Sequence, residues 1–214
     1  LISFKTLILS LPVWYLRLTL FNLRRTLMNK SFIIKIIVFC LVTIKASAIE
    51  KVILFGDSLM AGYGLPNEQH LSVVLQNSLE TEGYNIEIVN GSVSGSTSSG
   101  GLNIAEWTLS ESNIDLMILC LGANDMLRGI NPKETKNNLE EIIKIAKNKN
   151  IKVIIAGMIA PTSYGSNYKK SFDKIFYDLS KKYKLQLIPF LLEGVAQKPE
   201  FNLSDGMHPN DQGT

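Results

Sequence analysis

KVILFGDSLMAGYGL, residues 51–65, begins as an uninterrupted apolar run and stops at Gly-Asp-Ser. A run of that length without polar alternation reads as a strand covered on both faces. Gly-Asp-Ser is ordinary turn and helix-capping chemistry wherever a strand hands over to a helix. It is also where a hydroxyl nucleophile would be presented, at the carboxyl end of a strand. The rest of the chain decides between these readings.

Four more segments share the strand signature: IEIVNG (86–91), DLMILCLG (115–122), KVIIAGM (152–158) and LQLIPF (185–190). Helical patterns lie between them, at 68–82, about 101–110, 132–149 and 168–184. In the third, Leu139, Ile142, Ile143 and Ala146 recur at helical spacing opposite Lys and Glu. Five β–α alternations predict one α/β domain with an open parallel sheet and helices on both sides. Right-handed crossovers bring the strand C-termini to one edge, where ligands bind in such folds. No linker, repeat or low-complexity segment interrupts the pattern. After the last strand, SDGMHPNDQGT carries the helix-start signals Pro209, Asn210 and Asp211 and stops at Thr214. A further helix is therefore expected beyond it, so the C-terminal helix reads as truncated.

The N-terminal part has a different character. From Met28, Lys30 supplies a positive end, Phe32 to Ile44 an apolar stretch, and Ala46-Ser47-Ala48 a small-residue cleavage site. That is the pattern of a secretory signal peptide over 28–48, too short in its apolar part for a membrane span. Cleavage near Ala48 would release a periplasmic or secreted chain starting at Ile49. Residues 1–27 read as upstream or mis-started sequence. Pro12, Arg17 and Asn22 interrupt the stretch from Leu7 to Leu23 and argue against a stable membrane anchor.

Charge follows the same division. Seven of the 22 basic residues and none of the 19 acidic ones precede Ile49, which leaves 15 against 19, a net charge of −4. The basic balance of the whole chain thus belongs to the leader. With no basic stripe interleaved with aromatics in residues 49–214, a nucleic-acid partner is not expected. Cys40 lies in the leader and Cys120 in the third strand, so no internal disulfide is expected. A buried apolar role suits Cys120.

Histidine is scarce: only His70 and His208 are present. A serine nucleophile needs an imidazole to take its proton. His70, at the start of a helix, suits a capping or solvent-facing role. His208 follows Asp205 by three residues in a polar loop after the fifth strand. That spacing lets a carboxylate reach the ring, although an Asp-Gly turn with a passing His would look alike. Donors for an oxyanion are offered by the glycines of VNGSVSGSTSSGGL (89–102) and by Asn124 in CLGANDMLRG (120–129). The first loop lacks the endings of nucleotide-binding turns. Each element alone is ambiguous, but all fall after strand ends on one edge, as an acyl-transfer site requires.

Four segments in this order resemble the SGNH (GDSL) hydrolases, and within them the bacterial thioesterase I, lysophospholipase L1 and arylesterase group. They are FGDSLMAGYGL, VNGSVSGSTSSGGL, LGANDMLRG and DGMHPN, and the likeness runs from about Lys51 to Gly213. The resemblance implies a flavodoxin-like three-layer α/β/α fold with a five-stranded parallel sheet. It implies Ser58, Asp205 and His208 as catalytic residues, and Ser58, Gly95 and Asn124 as the oxyanion hole. Neither metal nor cofactor is implied. One departure is Ser96, where the group usually carries Asp after the glycine, which bears on how that loop is held.

The expected activity is hydrolysis of acyl esters and thioesters, lysophospholipids and aryl esters included, by a monomer acting on small molecules. Met60, Leu127 and Met207 are expected in the substrate pocket. The alternatives are a carbohydrate O-acetylesterase of the same superfamily, with a shallower and more polar pocket, and a non-catalytic lipid- or glycan-binding module.

Overall fold

The computed structural model describes residues 49–214. The expected leader (28–48) and the stretch 1–27 lie outside the described residues. Five parallel strands, β1 (Lys51–Gly56), β2 (Glu87–Asn90), β3 (Leu116–Cys120), β4 (Lys152–Ala156) and β5 (Gln186–Ile188), form one sheet in the order β2-β1-β3-β4-β5. This is the flavodoxin-like order of a doubly wound sheet. All five strands and four long helices fall where their sequence patterns place them, to within a few residues.

Six α-helices connect the strands: α1 (Ser58–Ala61), α2 (Leu71–Thr81), α3 (Ser98–Thr108), α4 (Ala123–Leu127), α5 (Pro132–Asn148) and α6 (Ser166–Tyr183). The chain moves one way across the sheet from β1 to β2, then reverses. Right-handed crossovers therefore put α2 on one face and α3, α5 and α6 on the other. Contacts agree: α2 packs on β2, while α3 meets α5 and α5 meets α6.

Local chemistry accounts for the helices. Asn131 caps α5 by accepting from the Lys133 N–H, with Pro132 in the first turn, and Leu139, Ile142, Ile143 and Ala146 are its buried stripe. In α6 the stripe is Phe172, Ile175, Phe176 and Leu179. These rows close over Ile53, Phe55, Leu119 and Ile155, at most 1% exposed. Fully burying side chains of this size contributes roughly 1.5–3 kcal/mol each.

Two short helices, α1 and α4, were not expected. Both start immediately after the central strands. Asp57 caps α1, its side chain accepting from the Leu59 N–H, and Gly62 ends it in a left-handed conformation (φ 80°). Met60, expected in the pocket, is instead 1% exposed in the core, packed on Gly56. On a helix, residues two apart point to opposite sides, so presenting Ser58 outward turns Met60 inward. Among the described residues no helix is long and apolar enough to cross a membrane.

Candidate active site

The carboxyl edge of the sheet gathers the expected site residues from four of its five strand ends. Ser58 opens α1 after β1, Gly95 follows β2 and Asn124 lies in α4 after β3. Asp205 and His208 lie on the segment after β5. The last loop is shaped by its own backbone. The Leu203 N–H donates to the His208 carbonyl at 2.7 Å, the Gly206 N–H to Leu203, and Asn202 pairs with Pro209 in an antiparallel bridge.

Within that loop Asp205 Oδ1 accepts the backbone N–H groups of Met207 (2.9 Å) and His208 (3.0 Å), and Oδ2 lies 2.7 Å from His208 Nδ1. The two N–H groups, with the imidazole beside it, hold the Asp205 carboxyl at about 2. An ionised carboxylate accepts the Nδ1 proton, which leaves the lone pair on Nε2. That nitrogen is 2.9 Å from Ser58 Oγ. Serine, imidazole and carboxylate thus form one line of hydrogen bonds, the arrangement that activates a hydroxyl for attack on a carbonyl. Tyr63 covers the imidazole, its ring centre 4.6 Å from that of His208.

Gly95 and Asn124, the expected oxyanion donors, line the same cleft as Ser58. The Ser58 and Gly95 N–H groups have no acceptor among the described residues, and Gly95 is exposed in a left-handed conformation (φ 76°). The Asn124 amide donates to the Ser96 carbonyl at 3.1 Å and approaches Asp57 Oδ2 at 3.4 Å. It therefore ties the β2 loop to the base of α1. At the departure, Ser96, the side chain reaches only the Thr97 carbonyl, at 3.4 Å.

Two buried carboxylates were missed in the sequence. Asp125 is fully buried and accepts from the Ser98 N–H (2.7 Å), the Ser98 hydroxyl and the Thr135 hydroxyl (3.1 Å). It pins the start of α3 to α4 and α5. Asp57 is also fully buried; burial pushes its carboxyl up to about 6, against the opposing pull of the Leu59 N–H and the Asn124 amide. In sequence both look like turn residues. The one available signal was their position, immediately beside the central strand ends.

His70 stays out of the site: its ring stacks under Gly62 and Nε2 lies 3.0 Å from the Leu65 carbonyl. The expected capping bond is absent, since the side chain makes none at the start of α2. Cys120 is buried, and burial pushes its thiol well up, which fits an apolar role.

Ser58 and His208 open into a cleft of about 570 Å³. One wall comes from the segment after β4 (Met158, Ile159, Pro161) and another from the segment after β5 (Phe190, Leu192, Ala196), with Met126, Leu127 and Met207 adding to the apolar lining. The expected residues Leu127 and Met207 line it; Met60 does not. The wall after β5 was not anticipated. Few polar groups reach the cleft, as suits an apolar ligand with one reacting polar centre.

Comparison with known proteins points the same way. Residues 54–214 match the model of the GDSL-like lipase/acylhydrolase family. An arylesterase of Vibrio mimicus is 37% identical over 177 residues, which cover 83% of this chain and 88% of that protein. The thioesterase 1/protease 1/lysophospholipase L1 of Escherichia coli is 32% identical over 170 residues, 79% of this chain and 80% of the relative. Among solved structures, AlinE4, an SGNH-hydrolase family esterase, superposes with a TM-score of 0.71 at 37% identity, covering 77% of this chain and 88% of that one.

Proposed function

The chain belongs to the GDSL-like lipase/acylhydrolase family and is an SGNH-type esterase, and from that premise we propose that it hydrolyses acyl esters and thioesters through an acyl-enzyme on Ser58. The observation that carries this reading is the unbroken line from Ser58 Oγ through His208 to Asp205 at the mouth of an apolar cleft.

Ser58 Oγ attacks the carbonyl carbon while His208 Nε2 takes its proton. The carbonyl oxygen, now negative, is held by the Ser58 and Gly95 N–H groups and by the Asn124 amide, which keeps its bond to the Ser96 carbonyl and turns its second N–H from the long contact with Asp57 Oδ2. Losing one such donor lowers turnover by roughly 10²–10³. His208 returns the proton to the leaving alcohol or thiol as its bond to carbon breaks. Water, deprotonated by the same nitrogen, then attacks the acyl-enzyme and frees Ser58. Asp205 keeps the ring in the required tautomer and stabilises its charged form.

Lysophospholipids and aryl esters are the substrate class favoured by the apolar lining and by the names of the relatives. An acetyl group alone would leave most of the cleft unfilled, which weighs against the carbohydrate O-acetylesterase. The proposal includes a leader at 28–48, removed near Ala48, and a monomeric hydrolase domain over 49–214 free of a membrane anchor in the periplasm or outside the cell. There, esters are available where cytosolic acyl-CoA thioesters are not.

The test is hydrolysis of p-nitrophenyl esters with two, eight and sixteen carbons by the wild type and Ser58→Ala. Rates that rise with chain length and vanish in the folded variant support the reading. Preference for acetate favours the acetylesterase, and equal rates in both proteins remove Ser58 from the chemistry.

A further inference from the structure

Gly95 poses a physical problem. A backbone N–H can serve as an oxyanion donor only if its peptide plane is fixed before the charge develops. Yet glycine is the residue whose flanking peptides rotate most freely. Packing does not restrain it: a Cβ built at Gly95 meets nothing within 4 Å, and the residue is exposed along with Val93 and Ser94. Hydrogen bonds must therefore hold this turn. The Val93 N–H donates to the Gly56 carbonyl and the Ser96 N–H to Val93, which fixes the backbone on either side. The Ser96 carbonyl is taken by Asn124.

Two carbonyls remain: that of Ser94 has no donor among the described residues, and that of Gly95 receives one from the end of α4. Arg128 Nη2 donates to it at 3.0 Å. The Arg128 side chain is exposed and forms no ion pair among the described residues, so its placed contact is with this carbonyl. Its backbone is fixed, since the Arg128 N–H donates to the Asn124 carbonyl and the Ile130 N–H to the Asp125 carbonyl. The helix that carries the Asn124 donor therefore also reaches across to the loop that carries the Gly95 donor. With the Gly95 carbonyl held by Arg128 and the Val93–Ser96 turn closed, Gly95 is anchored to the end of α4 while its N–H stays free.

We infer that Arg128 is a positioning residue of the oxyanion hole: its bond to the Gly95 carbonyl anchors the Gly95 turn to the end of α4 and so sets where the Gly95 N–H stands relative to Ser58 and Asn124. The inference rests on the proposed esterase mechanism. It acts through Gly95 and requires no contact between Arg128 and substrate.

The test compares wild type, Arg128→Ala and Arg128→Lys in the full chain. Steady-state hydrolysis of p-nitrophenyl octanoate and inhibition by octylboronic acid, which forms a tetrahedral adduct on a serine hydroxyl, are measured at 0.05 M and 0.5 M NaCl. Thermal melting checks the fold. Displacing one donor without deleting it should lower kcat roughly 10- to 100-fold in Arg128→Ala, with KM within about twofold. Boronate binding should weaken in parallel with kcat, salt should not restore it, and Arg128→Lys should recover part of the loss.

Unchanged kcat and boronate affinity would overturn the inference. So would a loss confined to KM, which would mean a substrate contact, or one that disappears at high salt, which would mean long-range attraction. If Arg128→Ala does not fold, Arg128→Lys carries the test: wild-type kcat and boronate affinity with a displaced Gly95 amide resonance would overturn it. A wild type that neither hydrolyses the ester nor binds the boronate would reject the esterase mechanism itself, whereas an active wild type with an equally active Arg128→Ala rejects only the role of Arg128.

Discussion

His208 Nε2 lies 2.9 Å from Ser58 Oγ across 150 residues of sequence, and the fold rather than any local motif brings them together. Ser58 is fixed by the capped turn after a buried central strand. His208 is carried on a small loop closed by its own carbonyl and by Asp205. Removing either end of this contact should lower kcat/KM on an ester by several orders of magnitude with little change in melting temperature. Steady-state assays of Ser58→Ala and His208→Gln, with melting curves for each, check this.

Asp205→Asn should act differently. The amide can still contact the loop, but it cannot hold the Nδ1 proton as a carboxylate does, and kcat should fall by roughly 10³–10⁴. Stability gives an independent readout. The Asp205 carboxyl is held at about 2, below its ordinary 3.8, by the His208 and Met207 N–H groups. Its contribution is therefore present above about pH 4 and lost as pH falls toward 2. In urea titrations the gap between wild type and variant should be constant from pH 4 to 7 and close between pH 4 and 2.

Asp57 carries the opposite sign. Burial raises its carboxyl from 3.8 to about 6, so the folded protein holds this proton when the unfolded chain has released it. Stability should fall as pH rises from about 4 to 6 and then level off, by on the order of 3 kcal/mol for this group. Asp57→Asn keeps an oxygen to cap α1 and should flatten that slope. Urea unfolding at unit pH steps from 4 to 7 would show it, and a slope unchanged in the variant would contradict the assignment.

Asp125 is a structural counterpart. Asp125→Ala leaves the Ser98 N–H and the Ser98 and Thr135 hydroxyls, all fully buried, without their shared acceptor. Each unsatisfied group destabilises by roughly 1–3 kcal/mol, so a loss of about 3 kcal/mol or more is expected in urea unfolding.

What sequence could convey follows from physical range. Strands β1 to β5 and helices α2, α3, α5 and α6 were legible because their apolar periods run over several residues. Ser58, Asn124, Asp205 and His208 stood out because each follows a strand end or sits in a marked turn, whereas Gly95 was singled out from the other glycines of its loop by the family resemblance alone. A four- or five-residue helix such as α1 or α4 completes too few turns to show a period. That hid the inward direction of Met60. The burial of Asp57 and Asp125 was hidden for another reason: a carboxylate in a turn looks the same whether water or protein surrounds it. The wall from Phe190 to Ala196 and the Tyr63 ring over His208 depend on where irregular segments return in space, which no local pattern encodes.

The cleft walls lead to a specificity prediction. Ile159 is half exposed on the β4 side of the cleft, facing space that an acyl chain would fill. Ile159→Trp should narrow that space and lower kcat/KM for an eight-carbon ester roughly tenfold relative to a two-carbon ester. Discrimination of about 1–3 kcal/mol is typical of apolar pockets. Paired assays on the two esters measure it, and an unchanged ratio would place the chain elsewhere.

Ser58 as the acylated nucleophile is tested most directly by intact-mass and peptide mapping of the protein after brief exposure to p-nitrophenyl octanoate and rapid acid quench. One octanoyl addition, located on Ser58, should accumulate in the wild type and be absent from Ser58→Ala. Continued ester hydrolysis by Ser58→Ala, or an acyl group mapped to another residue, would contradict that role.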